Sequence, residues 1–195
     1  MWAKILGGVA VVLVAVFAVI LVGGDDDEAA ATETDGAFVA EMVPHHESAI
    51  EMAEIAIDRA QHPETEALAR SIVASQGDEI ALMESIHQRL FDEPLSAADH
   101  GTLGLAEHEM GMMSDVGTLQ TAKPFDRAFI DMMIPHHQGA ILMARVELEQ
   151  GSDAETMELA QAIIDAQASE IEEMNEWRTD WYGEPSPAGG VPSEE

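Results

Sequence analysis

Apolar residues recur every three or four positions along two long stretches of the chain, a spacing that predicts amphipathic helices with one buried face. In the first stretch, residues 38–60 carry this pattern, residues 61–63 interrupt it, and residues 64–90 resume it. A short break between two long amphipathic helices favours an antiparallel hairpin. The pattern therefore predicts a helical hairpin whose apolar faces need a partner.

The partner is a second copy of the same pattern. Residues 38–91 align without gaps on residues 129–182, shifted by 91 positions, and the sequence Pro-His-His at 44–46 recurs at 135–137. The break in the second copy falls at 151–153. Two hairpins that bury their apolar faces against each other predict an all-α fold, a four-helix bundle built from a duplicated unit.

The rest of the chain is assigned around this bundle, which is expected to span residues 37–183. The connector between the repeats, residues 92–128, is predicted to hold short helices at best. Residues 24–36 are rich in acids and predict a disordered stalk, and residues 184–195, with three prolines, predict a disordered tail.

The N-terminal region, residues 1–23, carries a strongly apolar segment. Residues 5–22 form an uninterrupted run of 18 apolar or glycine residues, and at about 1.5 Å per residue such a helix is about 27 Å long, enough for a bilayer core. Lys4 precedes the run and four acids follow it at 25–28, which indicates a membrane anchor with the bundle outside the cytoplasm. A cleaved signal peptide is the alternative, and it also places the bundle outside.

Charge and composition exclude several classes of function. The chain has 38 Asp plus Glu against 8 Lys plus Arg, a formal net charge of −30, so a nucleic-acid or anionic membrane surface would repel it. It has no cysteine, which removes disulfides, thiolate metal sites and thiol catalysis. Eight His and 12 Met remain as the soft or borderline donors.

Several polar residues are expected on the buried faces of these helices. At about 100° per residue, His45 and His46 lie on either side of the centre of the apolar stripe, and Glu79 lies inside the stripe of the second helix. A buried carboxylate needs a cation, a protonated partner or a raised pKa. The residues expected to meet in the bundle core are His45, His46, His136, His137, Glu79 and Glu170, with Gln76 and Gln167 beside them.

Imidazole, carboxylate and thioether groups together form a transition-metal ligand set. A set without cysteine favours copper, because thioether sulfur binds Cu(I) and imidazole accepts Cu(II), although another divalent transition metal is compatible. Hydrogen bonds between His and Glu could also satisfy every group without metal. The methionines on the same faces are interpreted first as core residues and second as ligands: Met42, Met52, Met83, Met133, Met143 and Met174.

A second candidate cluster lies in the connector. It consists of His108, Met110, Met112 and Met113, four metal-binding side chains within six positions. One interpretation is a short copper-binding tract, and the other is a loop that packs its methionines onto the bundle.

The motifs at 42–53 and 132–144, with Gly111-Met112-Met113-Ser114 and the segment 125–129, resemble the hallmark of the bacterial domain-of-unknown-function 305 family. The resemblance covers residues 38–182. It implies a ferritin-like four-helix bundle in an exported protein. Members of the CopM type are copper-binding proteins linked to copper resistance, so the resemblance also implies copper and His and Met ligands.

The function predicted from these features is a membrane-anchored protein that binds copper for sequestration or handover and is not an enzyme. One alternative is a ferritin-like metal-dependent oxidoreductase, and another is a metal-free bundle that is structural or binds a partner. Di-iron enzymes of this fold use Glu-x-x-His, whereas here Gln76-x-x-Glu79 occupies that place. A homo-oligomer and a metal-delivery partner both remain open from the sequence.

Overall fold

The computed structural model describes residues 33–95, 103–112 and 115–193. Within these ranges the chain forms four long helices, α1 (Glu33–Arg59), α2 (Pro63–Phe91), α3 (Phe125–Gln150) and α4 (Ala154–Tyr182). A short 3₁₀ helix, Val116–Gln120, lies in the connector, and no strand occurs in the described residues. The prediction of an all-α four-helix bundle is confirmed.

Local sequence explains where the helices begin and end. Pro63 starts α2, a position where its missing N–H costs nothing. Asp153 caps α4 by accepting a hydrogen bond from the Thr156 N–H, and Gly183 ends α4 in the left-handed region with φ 88°. Pro63 and Asp153 therefore limit the two hairpin turns to a few residues each.

Two aspartates at equivalent positions hold the hairpins together. Asp126, in the first turn of α3, accepts hydrogen bonds from the backbone N–H groups of Gln61 at 3.0 Å and His62 at 3.1 Å. Asp35, in the first turn of α1, accepts from the N–H groups of Ser152 and Asp153, both at 3.0 Å. Each first helix therefore caps the turn of the other hairpin, and α1 runs antiparallel to α3.

The core divides into two hydrophobic clusters, one toward each end of the bundle. The cluster at the end where α1 begins contains Met42, Met83 and Met143, and the cluster at the end where α3 begins contains Met52, Met133 and Met174. Each cluster thus takes two methionines from one repeat and one from the other. All six side chains are buried, which agrees with their interpretation as core residues.

Three segment boundaries differ from the sequence-based prediction. Residues 33–36, predicted as part of the stalk, are helical because Asp35 is anchored on the α3–α4 turn, and α3 begins at 125, inside the predicted connector. Residues 184–193, predicted as a disordered tail, lie against α3 and α4. Side chains of Gln138, Arg145 and Asn175 donate to the backbone carbonyls of this segment, an interaction that composition does not reveal.

The predicted membrane anchor, residues 1–23, and most of the predicted stalk lie outside the described residues. In the part of the chain that the structure does describe, no helix combines the length and the apolar character needed to span a bilayer.

Candidate metal site

The two Pro-His-His motifs lie in the middle of α1 and α3, where these antiparallel helices pack against each other. Pro44 and Pro135 sit inside continuous helices. The rings of His45 and His136 meet with their centroids 3.7 Å apart. All four motif histidines are buried, and none is more than 3% exposed. They form a polar layer between the two hydrophobic clusters, called the histidine layer below. The sequence-based expectation that both His pairs face the interior agrees with this arrangement.

Two of the four imidazoles are held by carboxylates from the second helix of their own hairpin. His46 Nε2 lies 2.7 Å from the Glu79 carboxylate, and His137 Nε2 lies 2.6 Å from the Glu170 carboxylate. With Nε2–H donating to the carboxylate, the Nδ1 atom carries a lone pair. Both Nδ1 atoms are buried and have no hydrogen-bond partner in the described structure. A carboxylate that orients a histidine in this way is typical of the surroundings of a metal ligand.

The other two imidazoles also present unpartnered nitrogens. His45 Nε2 donates to the backbone carbonyl of Met110 at 2.9 Å, which leaves its buried Nδ1 without a partner, and both ring nitrogens of His136 have none within the described residues. The side-chain oxygens of Gln76 and Gln167 are likewise buried and unpaired. Because nearly all buried polar atoms in native proteins are hydrogen-bonded, a group of five unpaired imidazole nitrogens indicates a ligand-binding centre.

Burial keeps the central pair of imidazoles neutral. It lowers the pKa of His45 from 6.5 to about 3, and the neighbouring His46 acts in the same direction. It also lowers the pKa of His136 well below the ordinary value, with His45 adding to the effect. A neutral imidazole offers its lone pair directly, so a metal ion does not need to displace a proton from either ring.

The donor chemistry suits a transition metal, but the side chains are not arranged as a finished cage. Across the described ranges, no three or more His, Asp or Glu side chains are grouped so as to hold a metal ion. The His45 and His136 rings contact each other, whereas the His46 and His137 rings are each held by a separate glutamate. The described residues therefore supply donors for a transition metal without a preformed three-residue cage.

The connector covers one side of this layer. Its turn at 107–112 lies directly on α3, where a Cβ on Gly139 would come within 2.1 Å of the Met110 carbonyl oxygen. Gly111, with φ +72°, is just as tight, since its Cβ would lie 2.4 Å from the Pro135 carbonyl oxygen. Glycine at both positions allows the two backbones to touch, and this contact brings the Met110 carbonyl to His45.

The predicted connector cluster is only partly assembled on the bundle. Met110 is half-buried and packs against the cluster that contains Met42, whereas His108 and Met112 are exposed. Met113 lies outside the described residues. A ligand role for these residues stays a prediction, as it does for the six core methionines.

The fold and its buried histidine layer define a class of helical bundles built from a duplicated hairpin, and comparison with known proteins gives this class a family. A family model described as domain of unknown function (DUF305) matches residues 35–189, so the chain belongs to this family. A search of curated proteins finds no match.

Solved structures of related proteins share this fold. CopM in its Cu(II)-bound form is 41% identical, with a TM-score of 0.68, and the match covers 76% of this chain and 97% of that one. CopM in its Cu(I)-bound form is 40% identical, with a TM-score of 0.67 and coverage of 76% and 98%. A DUF305 fragment from Deinococcus radiodurans is 30% identical, with a TM-score of 0.63 and coverage of 74% and 94%.

Proposed function

We propose that this protein binds copper ions as cargo through the imidazoles at the centre of the bundle. The observation that carries the proposal is the set of four buried histidines whose Nδ1 atoms have no hydrogen-bond partner in the described structure. The similarity to CopM, which has been solved with Cu(I) and with Cu(II), supports copper over other metals that imidazole binds.

Each residue of the layer has a role in this proposal. Glu79 and Glu170 hold the proton on Nε2 of His46 and His137, which fixes the tautomer and makes Nδ1 a better donor. The Met110 carbonyl does the same for His45. Bound copper would accept the Nδ1 lone pairs, and the low pKa values of His45 and His136 keep those two rings available at mildly acidic pH.

The methionines extend the donor set toward the reduced ion. Thioether sulfur is a soft ligand that prefers Cu(I). Three buried methionines lie in the hydrophobic cluster on each side of the histidine layer. They are Met42, Met83 and Met143 on one side and Met52, Met133 and Met174 on the other. Exposed His108 and Met112 on the connector provide donors at the surface, where an ion could arrive or leave.

Sequestration or handover fits this arrangement better than catalysis. The net charge of −30 attracts cations to the protein. A ferritin-like di-iron enzyme needs a Glu-x-x-His pair on an inner helix face, whereas α2 offers Gln76 and Glu79 at that spacing and α4 offers Gln167 and Glu170.

The proposal includes a location outside the cytoplasm at a membrane. The apolar run at 5–22, with Lys4 before it and acids after it, supports an N-terminal anchor that leaves the bundle on the outer side. Fusing a reporter enzyme that is active only outside the cytoplasm to the C-terminus tests this part. An active, membrane-bound fusion is expected, and an inactive fusion would overturn the location while leaving the metal site untouched.

The copper proposal is tested on the full chain, purified in mild detergent because of residues 5–22. Cu(I) is titrated against a chelator of known affinity, and bound copper is counted by elemental analysis. We expect the quadruple variant His45→Ala, His46→Ala, His136→Ala and His137→Ala to lose tight binding. His62→Gln, a change far from the histidine layer, is the matched control. Unchanged copper in the quadruple variant would overturn the proposal.

A further inference from the structure

A cleft lies at the end of the bundle where α1 begins and α2 ends. It has a volume of about 550 Å³, within the range of small-molecule sites. Glu33, Thr34, His87 and Glu93 provide polar groups, while Phe91 and Leu103 contribute apolar wall. None of the four histidines of the histidine layer lines this cleft.

The duplication shows what this cleft lacks. In the second repeat, Arg178 is fully buried, with Nε and Nη2 on the Asp131 carboxylate at 3.1 and 3.2 Å, and Nη1 on the Glu184 carbonyl at 2.9 Å. The shift of 91 positions relates Arg178 to His87 and Asp131 to Ala40. The first repeat therefore has a shorter side chain and an alanine where the second repeat pairs a buried guanidinium with the half-buried Asp131 carboxylate.

His87 makes one hydrogen bond equivalent to a bond of the Arg178 guanidinium. His87 Nδ1 donates to the Glu93 carbonyl at 3.0 Å, the equivalent of the bond from Arg178 to Glu184. With the proton on Nδ1, the His87 Nε2 atom is an acceptor. His87 is only 4% exposed and lines the cleft, and no hydrogen bond to its Nε2 is formed by the described residues. The cleft thus contains an acceptor, His87 Nε2, to which no described residue donates.

The charge of the cleft also favours a cationic donor. Glu33 and Glu93 lie at its rim, and no Lys or Arg is among the described residues that line it. The wall formed by Phe91 offers an aromatic face, which attracts guanidinium groups. At the equivalent end of the other hairpin, Arg127 and Arg178 already supply the positive charge.

We propose that this cleft binds a guanidinium group, carried either by a small organic cation or by an arginine side chain of a partner. The ligand occupies the space that the Arg178 side chain fills in the second repeat. It donates to His87 Nε2 and is balanced by the carboxylates of Glu33 and Glu93. This site is separate from the histidine layer, and its ligand does not depend on copper.

Agmatine and a short neutral-backbone peptide with one arginine serve as probes, titrated into the full chain in detergent at physiological ionic strength and followed by calorimetry. Saturable binding of agmatine is expected, and the diamine cadaverine should bind more weakly because its ammonium groups lack the planar donor fork. Equal or tighter binding of the peptide assigns the group to a partner's arginine, and binding of agmatine alone assigns it to a small cation. The absence of saturable binding for both probes would overturn the proposal.

Two variants locate the binding. Ala40→Asp with His87→Arg installs the arginine–aspartate pair of the second repeat, replaces the His87 acceptor in the cleft wall and should abolish binding of the probes. Should that variant fail to fold, Glu33→Gln with Glu93→Gln changes exposed side chains and should weaken binding by about tenfold or more through the loss of charge-assisted contacts. Glu184→Gln, the equivalent of Glu93 at the other end, is the control. Equal weakening by the control, or unchanged binding in the Gln pair, would show non-specific attraction to an acidic protein and would overturn the site.

Discussion

The imidazole rings of His45 and His136 meet across the α1–α3 interface with centroids 3.7 Å apart and planes tilted by 39°. The two residues are equivalents in the duplication, so the approximate twofold axis of the bundle passes between them. Each repeat supplies half of the donors there. The proposed copper site needs both hairpins, so copper binding there would give the duplicated architecture a functional reason.

The unpaired nitrogens of His136 lead to a prediction about stability without metal. His136→Leu removes two buried polar atoms that have no partner in the described structure, so the apo protein should gain about 1–3 kcal/mol in free energy of unfolding. Its copper affinity should fall at the same time. Urea denaturation and copper titration of the same preparation measure both effects.

His45→Leu is the matched comparison, because it leaves the Met110 carbonyl without its donor. It should gain less stability than His136→Leu or lose stability. A loss of apo stability in His136→Leu greater than that in His45→Leu would contradict the assignment of unpaired, ligand-ready nitrogens to His136.

The carboxylates of Glu79 and Glu170, which bond to His46 and His137, should control copper affinity. Glu79→Gln combined with Glu170→Gln keeps a hydrogen-bond acceptor but removes the charge that makes the imidazole a better donor. Copper affinity is expected to drop about 10- to 100-fold with unchanged stoichiometry. Glu84→Gln, on the exposed face of α2, is the control for loss of charge. Equal affinities in the two proteins would refute a role for the Glu–His pairs.

The close contact between the connector and α3 depends on Gly139. A methyl group there collides with the Met110 backbone, so Gly139→Ala should lift the turn at 107–112 and break the bond from His45 to Met110. Amide exchange in this turn is the measurement, and it should become at least about tenfold faster as the local structure opens.

Gly77→Ala provides the contrast within the same protein. Its Cβ would meet nothing within 4 Å, so alanine should stabilise α2 by about 0.5–1 kcal/mol and leave exchange in the connector unchanged. Unaltered exchange at 107–112 in Gly139→Ala would show that the turn is held by other contacts.

Glu147 predicts how stability depends on pH. Burial raises its pKa from 4.5 to about 8, with Asp35 and Asp153 adding to the effect. Since the folded pKa is raised, the native state binds the proton more tightly than the unfolded state. The contribution of Glu147 is therefore complete below about pH 4.5 and is lost as pH rises to 8.

Glu147→Gln removes this titration. The variant should flatten the decline of unfolding free energy between pH 4.5 and 8, where each unit of such a pKa shift is worth about 1.4 kcal/mol. Glu149→Gln changes an exposed neighbour and should keep the wild-type slope. Urea midpoints measured across this pH range give the slope of unfolding free energy against pH. A slope in Glu147→Gln equal to that of the wild type would contradict the prediction.

Much of this fold follows from periodicity and duplication. The 3.6-residue pattern predicts the helices, the repeat predicts two hairpins, and the helical wheel predicts that His45, His46 and Glu79 face inward. Each of these inferences needs only residues on one helix, whose relative directions are fixed by backbone geometry. This is why the polar layer could be predicted before its neighbours were known.

Other features depend on contacts between distant parts of the chain. Asp35 and Asp126 are also related by the shift of 91, so extending the repeat by three residues upstream would have identified the cross-hairpin caps. Sequence periodicity does not reveal the contact of Met110 with Gly139 or the packing of residues 184–193 on the bundle. Both involve irregular backbone, which is positioned by tertiary hydrogen bonds. Ring orientations in the histidine layer likewise depend on packing from all four helices.

X-ray absorption at the copper edge, on the full chain loaded with one equivalent of Cu(I) and on the quadruple histidine variant, tests the central claim most directly. The account predicts the outer-shell scattering of imidazole rings around copper in the wild-type protein and its loss in the variant. A copper environment without imidazole scattering, or one that is the same in both proteins, would contradict it.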